Sequence, residues 1–332
     1  VLTVGAAQIL LKNAREIPQA PVWIAGSGPL VLLYMVQLLR AGGHIAGWLD
    51  TAPRGGWRRA LRHMRGALVA WRDLCQGAAW MQTLRRAGFP IVRGATQLRA
   101  EGDQRLQGLS FRTAGGQTRR VPAELLLVHE GVVPSIHTTQ ALGCAHRWSD
   151  SQHCLTPVLD AWGQSSQPGI FVAGDGAGIG GAGVARTRGE LAALGVALRA
   201  GRLQDAEAQG LAAPLRRQLA RGLALRPLLD AMYPPRAELS APADDTVVCR
   251  CEELTAGAIR AAARAGRPDP NQTKSSTRAG MGPCQGRQCG YTVAHLLAAA
   301  HGRPVKEVGV YRVRPPLKPL TLGELASLDG AP

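Results

Sequence analysis

The sequence has few aromatic residues, few lysines and no long apolar segment. Phe, Trp and Tyr make up 4% of the 332 residues, which argues against the stacking surfaces that bind single-stranded nucleic acid. The longest apolar run, PLVLLYMVQLL, is far shorter than the ~20 residues that cross a bilayer. Only four of the 39 basic residues are lysine, and the arginines are scattered. The formal net charge of +16 allows an anionic partner, but this scatter favours a compositional bias over a nucleic-acid surface.

The sequence also lacks any Cys-x-x-Cys pair, although it contains seven cysteines. This absence argues against a dithiol–disulfide redox centre. Seven cysteines in a chain of this length do not indicate a disulfide framework either. Cys75, Cys144 and Cys154 fit no ligand spacing, and we interpret them as ordinary small residues. The length predicts two or three domains.

Residues 21–50 predict one βαβ unit, the half-unit of a doubly wound sheet. PVWIAG is typical of a strand, and HIAGWLD of a second strand. Between them lies a helix-length apolar run with Pro29 in its first turn and Gly42 at its end. The pattern then predicts helices within residues 56–88 and an antiparallel meander across 91–128. The predicted fold class is therefore α/β.

A glycine pair follows the first strand of this unit. Gly26 and Gly28 begin a G-x-G-x-x-G pattern, in which glycines allow the backbone to approach a pyrophosphate at a helix N-terminus. The third position is Val31, whose branched side chain departs from the pattern. Asp50 closes the second strand, where a ribose-binding carboxylate is expected. The pattern predicts a Rossmann-like fold and leaves NAD(P) binding open beside a scaffold role or another ligand.

Residues 169–198 indicate a second nucleotide-binding element, with a strand, a Gly-rich turn and a helix. Flavoproteins with two dinucleotide-binding domains place an Asp here against the ribityl chain of FAD, at a helix N-terminus. Gly174, Asp175 and Gly176 are the candidate FAD-binding residues, and we expect Asp175 to be buried; a surface turn is the alternative. The opening VLTVGAAQILLKN contains no G-x-G-x-x-G loop. We therefore expect the N-terminal flavin-binding segment to be missing and the FAD site to be incomplete.

Four cysteines form the pattern C-x-C-x32-C-x4-C and are the candidate metal ligands. They are Cys249, Cys251, Cys284 and Cys289. Four thiolates can hold zinc or a 2Fe–2S cluster, but zinc sites favour C-x2–4-C knuckles and the plant-type ferredoxin spacing is absent. The tight C-x-C suits two sulfurs that approach one iron of a cluster. The spacing therefore favours 2Fe–2S over zinc or free thiols.

The surroundings of these cysteines fit an anionic group. We expect Thr255 to cap a short helix whose N-terminus faces the site, and Arg250 and Arg287 to offset its negative charge. Glycines between and beside the cysteines would let backbone N–H groups approach the sulfurs. They are Gly280, Gly282, Gly286 and Gly290.

The segment VCRCEELTAGAIRAA…GMGPCQGRQCG resembles the helical 2Fe–2S domain of bacterioferritin-associated ferredoxin. Its wider C-x4-C resembles the family that comprises related proline and hydroxyproline dehydrogenases, the A subunits of opine oxidases and the B subunit of hydrogen cyanide synthase. Other stretches of the sequence agree with this family. They are AGSGPL, LLLVHEGVVP, LGCAHRW, VAGDGAGIGGA and YRVRPPLKPLTLGELA.

This resemblance implies an oxidoreductase subunit that passes electrons from a partner's substrate-reduced flavin to an acceptor. The implied partners are a small ferredoxin-like subunit together with a flavin-containing amine-oxidase-like subunit, which dehydrogenates an amine, imino acid or opine. The implied location is cytoplasmic, with peripheral contact to the inner membrane and its respiratory chain as an alternative. His129 and Glu130 stand where related flavoproteins approach flavin, with a structural turn as the alternative. Lys318 could contact a cofactor or phosphate, with a solvated lysine as the alternative.

The resemblance also implies a division of the chain into domains. We expect an incomplete FAD-binding-type domain at 1–20 and 129–232, an NAD(P)-binding-type Rossmann domain at 21–128, a linker at 233–245, a helical 2Fe–2S domain at 246–303 and an extended tail at 304–332. Two other functions remain open. One is a self-contained NAD(P)H-dependent reductase, and the other is a non-enzymatic interaction module that carries a cluster.

Overall fold

The computed structural model describes residues 1–327. It divides into two compact units, each built from two stretches of chain. The first unit comprises Val1–Val132 and Arg217–Arg236, and the second comprises Val133–Arg216 and Ala237–Pro332, of which 328–332 lie outside the described residues. Within residues 1–327, no helix combines the length and apolarity needed to cross a bilayer.

The first 132 residues contain eight strands and five α-helices. They are β1 (Leu2–Thr3), α1 (Val4–Asn13), β2 (Val22–Gly26), α2 (Pro29–Arg40), β3 (Ile45–Asp50), α3 (Gly56–Ala60), α4 (Met64–Val69), α5 (Trp71–Arg86), β4 (Ile91–Arg93), β5 (Thr96–Glu101), β6 (Gly108–Arg112), β7 (Thr118–Pro122) and β8 (Leu125–His129).

The elements that follow are mainly helical. They are α6 (His137–Ala141), β9 (His146–Ser149), β10 (Cys154–Pro157), α7 (Ala182–Arg199), α8 (Asp205–Ala224), α9 (Arg226–Met232), α10 (Ala237–Ser240), β11 (Val247–Cys249), β12 (Leu254–Thr255), α11 (Ala256–Arg264), α12 (Pro270–Thr277), α13 (Gly290–His301), α14 (Val305–Val308) and α15 (Leu322–Ala326).

The first unit is built on a five-stranded parallel sheet with the order β1-β8-β2-β3-β4. The predicted βαβ unit is confirmed, with Pro29 as the first residue of α2 and Gly42 just beyond its end at φ 84°. All five residues of β2 are buried because α2 packs on one face of this central strand and residues 95–126 pack on the other. The predicted α/β class is confirmed.

The region after this βαβ unit follows the prediction in part. Residues 56–88 are helical but break into α3, a 3-10 turn at Leu61–His63, α4 and α5. Within 91–128, only β5, β6 and β7 form the predicted antiparallel meander. β4 and β8 instead join the parallel sheet, where β8 lies between β1 and β2. The meander is therefore inserted between two strands of the main sheet.

The predicted strand at the start of 169–198 is wrong. Its backbone forms an isolated bridge between Phe171 and Gln164 and donates from Val172 to the carbonyl of Gly163 at 2.8 Å, without a regular strand ladder. The rest of the prediction is confirmed, since a 3-10 turn at Gly174–Ala177 leads through further glycines into α7. Strand formation needs a partner strand, which the apolar run alone does not specify.

The C-terminal part of the second unit is a small helical domain with its own core. The antiparallel hairpin β11–β12 is followed by α11, α12 and α13, which pack around Ile259, Val293 and Leu297. As predicted, Thr255 caps α11, because its hydroxyl accepts from the backbone N–H of Ala258 at 3.3 Å. Asp269 caps α12 in the same way.

The compact units do not follow the predicted domain boundaries. The prediction groups residues 1–20 with 129–232 in one domain, but β1 pairs with β8 in the sheet of the first unit. The first unit also takes in 217–236, which includes α9. The predicted linker at 233–245 contains α10, and the predicted tail contains α14 and α15. The last five residues of that tail, 328–332, lie outside the described residues.

Candidate functional site

The four predicted ligand cysteines lie on two facing loops of the helical domain. Cys249 ends β11 and Cys251 lies in the hairpin turn before β12, while Cys284 and Cys289 lie in the loop before α13. Cys249 and Cys289 are each 1% exposed, Cys284 is half-buried and Cys251 is exposed. The structure therefore brings together residues that are up to 40 positions apart in sequence.

The sulfurs are arranged as two neighbouring pairs. Cys249 lies beside Cys289, and Cys251 lies beside Cys284. Cys289 also interacts electrostatically with Cys284, which joins the two pairs into one set. Burial raises the pKa of Cys289 to about 12, and the nearby Cys249 adds to this rise. Each close pair thus takes one cysteine from each loop, whereas the sequence suggested that the C-x-C cysteines act together.

Backbone N–H groups surround the sulfur of Cys284. Burial raises the pKa of this thiol, but hydrogen bonds from the N–H groups of Gln288, Gly286 and Arg287 and from Cys251 outweigh burial and lower the pKa overall. Left-handed backbone at Gln285 (φ 54°) and Gly286 (φ 76°) turns the loop so that these groups face the sulfur. The predicted approach of backbone N–H groups to sulfur is therefore present at Cys284.

The glycines of this region have a second role that the sequence did not reveal. An added Cβ would lie 2.6 Å from the Tyr311 ring at Gly286, 2.8 Å at Gly280 and 3.3 Å at Gly290. At Gly282 the added Cβ would lie 2.2 Å from the Cβ of Cys251. Three glycines thus make room for one tyrosine, and the fourth lets the two cysteine loops meet.

Tyr311 is held in place by the side chain of Asn271. The amide of Asn271 donates to the carbonyl of Val310 at 3.3 Å and accepts from the N–H of Arg312 at 2.8 Å. The ring is 7% exposed, and its hydroxyl lies beside Cys289. Burial raises the pKa of Tyr311, and the sulfurs of Cys289 and Cys249 raise it further.

Other residues near the cysteines are placed as follows. Arg287 donates to the carbonyls of Cys284 and Leu317, so it ties the tail to the loop. Arg250 and Lys318 are exposed. Among residues 1–327, no three His, Cys, Asp or Glu side chains surround one point closely enough to hold a single metal ion.

The predicted nucleotide residues of the first unit lie at the carboxyl edge of its sheet. Gly26 has φ 149°, and an added Cβ would lie 2.2 Å from the carbonyl oxygen of His129. Gly28 has φ 100° and precedes α2, whereas Val31 is completely buried in the core. Asp50 ends β3 and accepts from the N–H of Ala52 at 3.0 Å. The close approach of β8 thus requires Gly26 whether or not a nucleotide binds.

A segment of the same unit crosses this edge of the sheet. Tyr233 lies near Asp50 at the end of β3, and its pKa is raised by burial and by that carboxylate. Arg236 forms an ion pair with Glu130, just after β8, through its Nε at 2.9 Å. Because β2 lies between β3 and β8, residues 233–236 contact the strand ends on both sides of Gly26. Glu130 is thus engaged in an ion pair.

The predicted FAD turn lies in the second unit. Gly174 has φ 65°, and Arg188 of α7 donates to the carbonyls of Gly174 and Gly178. Asp175 is exposed, so the expectation that it is buried is wrong; it lies on the outside of the turn, where Arg188 interacts with it. Gly176 is half-buried. α7 begins after Gly181 without a side-chain cap, so its first N–H groups are available to an anion.

Sequence reasoning missed Tyr311, Tyr233, Arg236 and Asn271. Each acts through a contact with a residue far away in the chain, and none belongs to a spaced motif. The clustered glycines around Cys284 signalled a close approach, but they did not identify the tyrosine that approaches.

Two family models match the chain. The model of the pyridine nucleotide-disulphide oxidoreductases matches residues 72–201, and the sarcosine oxidase A3 domain matches residues 244–328. The crystal structure of L-proline dehydrogenase from P. horikoshii superposes with a TM-score of 0.64 at 19% identity, covering 96% of this chain and 52% of that chain. The fold and these matches are those of the flavin- and nucleotide-binding oxidoreductases.

Curated relatives identify the family within this class. The A subunit of opine oxidase from Rhizobium meliloti (strain 1021) is 42% identical over 99% of this chain and 71% of that protein. The corresponding opine oxidase protein from Agrobacterium tumefaciens (strain Ach5) is 41% identical over 99% of this chain and 65% of that protein. Hydrogen cyanide synthase subunit HcnB from Pseudomonas protegens is 32% identical over 99% of this chain and 71% of that protein. The chain belongs to the family of opine oxidase A subunits and HcnB, which confirms the resemblance found in the sequence.

Proposed function

We propose that the chain is the electron-transfer subunit of a complex that oxidises an amine, an imino acid or an opine. In this role it carries electrons from a partner's substrate-reduced flavin to an acceptor. The observation that carries the proposal is the meeting of four cysteines from two loops, with Cys249 beside Cys289 and Cys251 beside Cys284. These four residues are the proposed ligands of a 2Fe–2S cluster.

The donor set fits such a cluster in number and type. A 2Fe–2S cluster takes four thiolates, two on each iron, and the cysteines form two pairs in one set. Backbone N–H groups at Cys284 supply the hydrogen bonds to sulfur that are common around such clusters. Gly282 gives Cys251 the close approach that the site needs. When bound, the cluster supplies a one-electron carrier.

We propose that Gly174, Asp175 and Gly176, together with the N-terminus of α7, hold part of an FAD. Arg188 fixes the turn by donating to its carbonyls, and the N–H groups at the start of α7 suit a pyrophosphate. Asp175 is exposed, so its carboxylate can accept from a ribityl hydroxyl while Arg188 interacts with it. When bound, FAD supplies a carrier that accepts two electrons.

The proposed partners follow from the relatives. The opine oxidase relatives and HcnB are all named as subunits, and this chain is likewise one subunit of a larger complex. We propose that it binds a small ferredoxin-like subunit together with a flavin-containing amine-oxidase-like subunit. We place the complex in the cytoplasm, with peripheral contact to the inner membrane as the alternative.

A self-contained NAD(P)H-dependent reductase is less well supported. In such an enzyme NAD(P)H would bind over Gly26, Gly28 and Asp50, where residues 233–236 contact the neighbouring strand ends. Stopped-flow mixing with NADH tests this directly. We expect no reduction of flavin or cluster on the timescale of turnover, and rapid reduction would favour the reductase instead.

The cluster assignment is tested by electron paramagnetic resonance. After anaerobic purification and dithionite reduction, we expect the chain to give a 2Fe–2S signal. Cys284→Ser and Cys251→Ser should lose it, whereas Cys75→Ser, which alters an exposed cysteine outside the set, should keep it. A zinc-only or metal-free protein with all cysteines intact would contradict the proposal. If the chain carries the cluster but retains no flavin, a cluster-carrying interaction module replaces the electron-transfer role.

A further inference from the structure

A cavity of about 100 Å³ lies in the second unit, beside the cysteine loop. One wall comes from the segment around α6 and the β9–β10 hairpin, and the other comes from the helical domain. Its lining includes His137, Trp148, Arg287, Tyr291, His295 and Tyr311. Most of the remaining lining is apolar, with Val133, Ile136 and Leu155 among the contributors.

Three polar atoms in this lining are buried without a hydrogen bond to any nitrogen or oxygen atom. They are Nδ1 of His137, Nε2 of His295 and the hydroxyl oxygen of Tyr311, which lies beside the sulfur of Cys289. His295 is 9% exposed and Tyr311 is 7% exposed. Buried polar groups in proteins are nearly always hydrogen-bonded, and leaving one unpaired destabilises the fold. Three such atoms around one cavity therefore indicate a bound partner that carries hydrogen-bonding groups.

Aromatic rings pack around His295, which lines the cavity. The ring centroid of Tyr291 lies 4.3 Å from that of His295, that of Trp148 lies 6.3 Å away, and His153 stacks at 6.4 Å. Burial and the neighbouring His153 lower the pKa of His295 to about 4, so this imidazole is neutral near pH 7. The flat rings favour a planar ligand, and the neutral imidazole favours an uncharged one.

The dimensions of the cavity limit the ligand to a single ring. Engineered protein cavities of about 150 Å³ hold one benzene molecule, so a space of about 100 Å³ that is open on one side takes one six-membered ring only if part of the ligand extends out of it. A three-ring isoalloxazine would lie mostly outside it. Ring substituents would have to leave through the open side of the cavity.

The cavity and the cysteines share one loop. Gly286, Arg287 and Gly290 line the cavity and lie in or next to the segment from Cys284 to Cys289. Tyr311 lines the cavity and also lies beside the sulfur of Cys289. A ring bound in the cavity is therefore separated from the cysteine set by the single layer that this tyrosine and this loop provide.

From these observations we propose that the cavity binds a single planar ring carrying carbonyl acceptors, as in a benzoquinone, with Tyr311 and His295 as hydrogen-bond donors. The three buried polar atoms would face the polar groups of the ring, and the aromatic side chains would pack against its two faces. The biological role of this site rests on the proposed function, because a quinone ring beside an electron-carrying protein is a suitable electron acceptor. The binding itself requires only the geometry of the cavity.

Ligand-observed nuclear magnetic resonance on the full-length chain tests the proposal. Duroquinone is a suitable probe, since its four methyl groups give one resonance and leave no open ring position for thiol addition. Durene has the same ring and methyl groups without the carbonyls, so it controls for apolar binding. We expect line broadening to show that duroquinone binds about tenfold or more tightly than durene, the effect of one or two hydrogen bonds.

Variants separate the hydrogen bonds from packing. We expect His295→Leu and Tyr311→Phe to weaken duroquinone binding to the level of durene, whereas His295→Gln, which keeps an N–H donor, should retain part of it. His301→Leu, on the same helix but outside the cavity, should leave binding unchanged. If His295→Leu does not fold by circular dichroism, Tyr311→Phe and the exchange of duroquinone for durene still test the proposal.

The outcomes distinguish this inference from the proposed function. If a chain with the 2Fe–2S signal binds neither probe, or binds both equally, the cavity proposal is wrong and the electron-transfer proposal stands. If duroquinone binds a chain that gives no 2Fe–2S signal, the electron-transfer proposal is wrong and the cavity proposal stands. If lumiflavin competes with duroquinone and binds more tightly, the single-ring assignment is overturned.

Discussion

Gly286→Ala tests whether the glycines around Cys284 are required by the Tyr311 ring. Gly286 has φ 76°, a conformation that costs an alanine about 1–2 kcal/mol. Its new Cβ would also lie 2.6 Å from Cδ2 of Tyr311. The ring has little freedom to move, because Asn271 holds the backbone on both sides of Tyr311 and Gly280 lies against the ring at Cε2 and Cζ.

The expected loss of stability is the sum of the backbone strain at Gly286 and the steric clash with Tyr311. Overpacking a well-packed site costs about 1–3 kcal/mol, so Gly286→Ala should destabilise the helical domain by about 2–5 kcal/mol in total. Gly302→Ala is a matched control. Gly302 ends α13 at φ 60°, and an added Cβ there would meet no atom within 4 Å. It should cost only the backbone effect, about 1–2 kcal/mol.

Hydrogen exchange of the α13 amides is the appropriate assay, because it reports the stability of this domain alone. A single unfolding equilibrium is not well defined for a chain with two compact units. Combining each glycine variant with Tyr311→Ala completes a double-mutant cycle. The excess cost of Gly286→Ala should disappear in that background. Equal costs for the two glycine variants, or an excess that persists without Tyr311, would refute the reasoning.

Two further substitutions test the local structure. Gly26→Ala would place a Cβ 2.2 Å from the backbone oxygen of His129, and we expect the first unit to lose about 3 kcal/mol or more, measured as loss of protection in β2 and β8. Retained protection would show that the sheet can separate there. Asp269→Ala removes the carboxylate that accepts from the N–H groups of Asn271 and Gln272. It should destabilise α12 by about 1 kcal/mol, whereas Asp269→Asn, which keeps a capping oxygen, should cost less.

Elements with strong local signals could be predicted from the sequence. The βαβ unit has an apolar strand, a proline at the first helical position and a glycine after the helix, and all three features are found. Thr255 as a helix cap is equally local. By contrast, the apolar run at 169–173 lacks a ladder partner among the described residues, and its own sequence carries no information about pairing.

The four cysteines of the candidate site could be selected from the sequence, whereas their surroundings could not. The spacing of the cysteines indicated one site, and the structure brings them together in the predicted domain. The structure pairs them across the loops, however, because the hairpin and the loop before α13 face each other. Tyr311 and the cavity could not be foreseen, because they arise from the way the tail folds back onto the domain.

The steric requirement at Gly26 has a consequence for how nucleotide-binding fingerprints are interpreted. The first glycine is fixed by the oxygen of His129, and the carbonyl of Gly26 also accepts from the indole of Trp48 at 2.9 Å. Both constraints belong to the sheet and persist without any ligand. The first glycine of the fingerprint would therefore be retained here even in a chain that binds no nucleotide, so its presence alone does not indicate nucleotide binding.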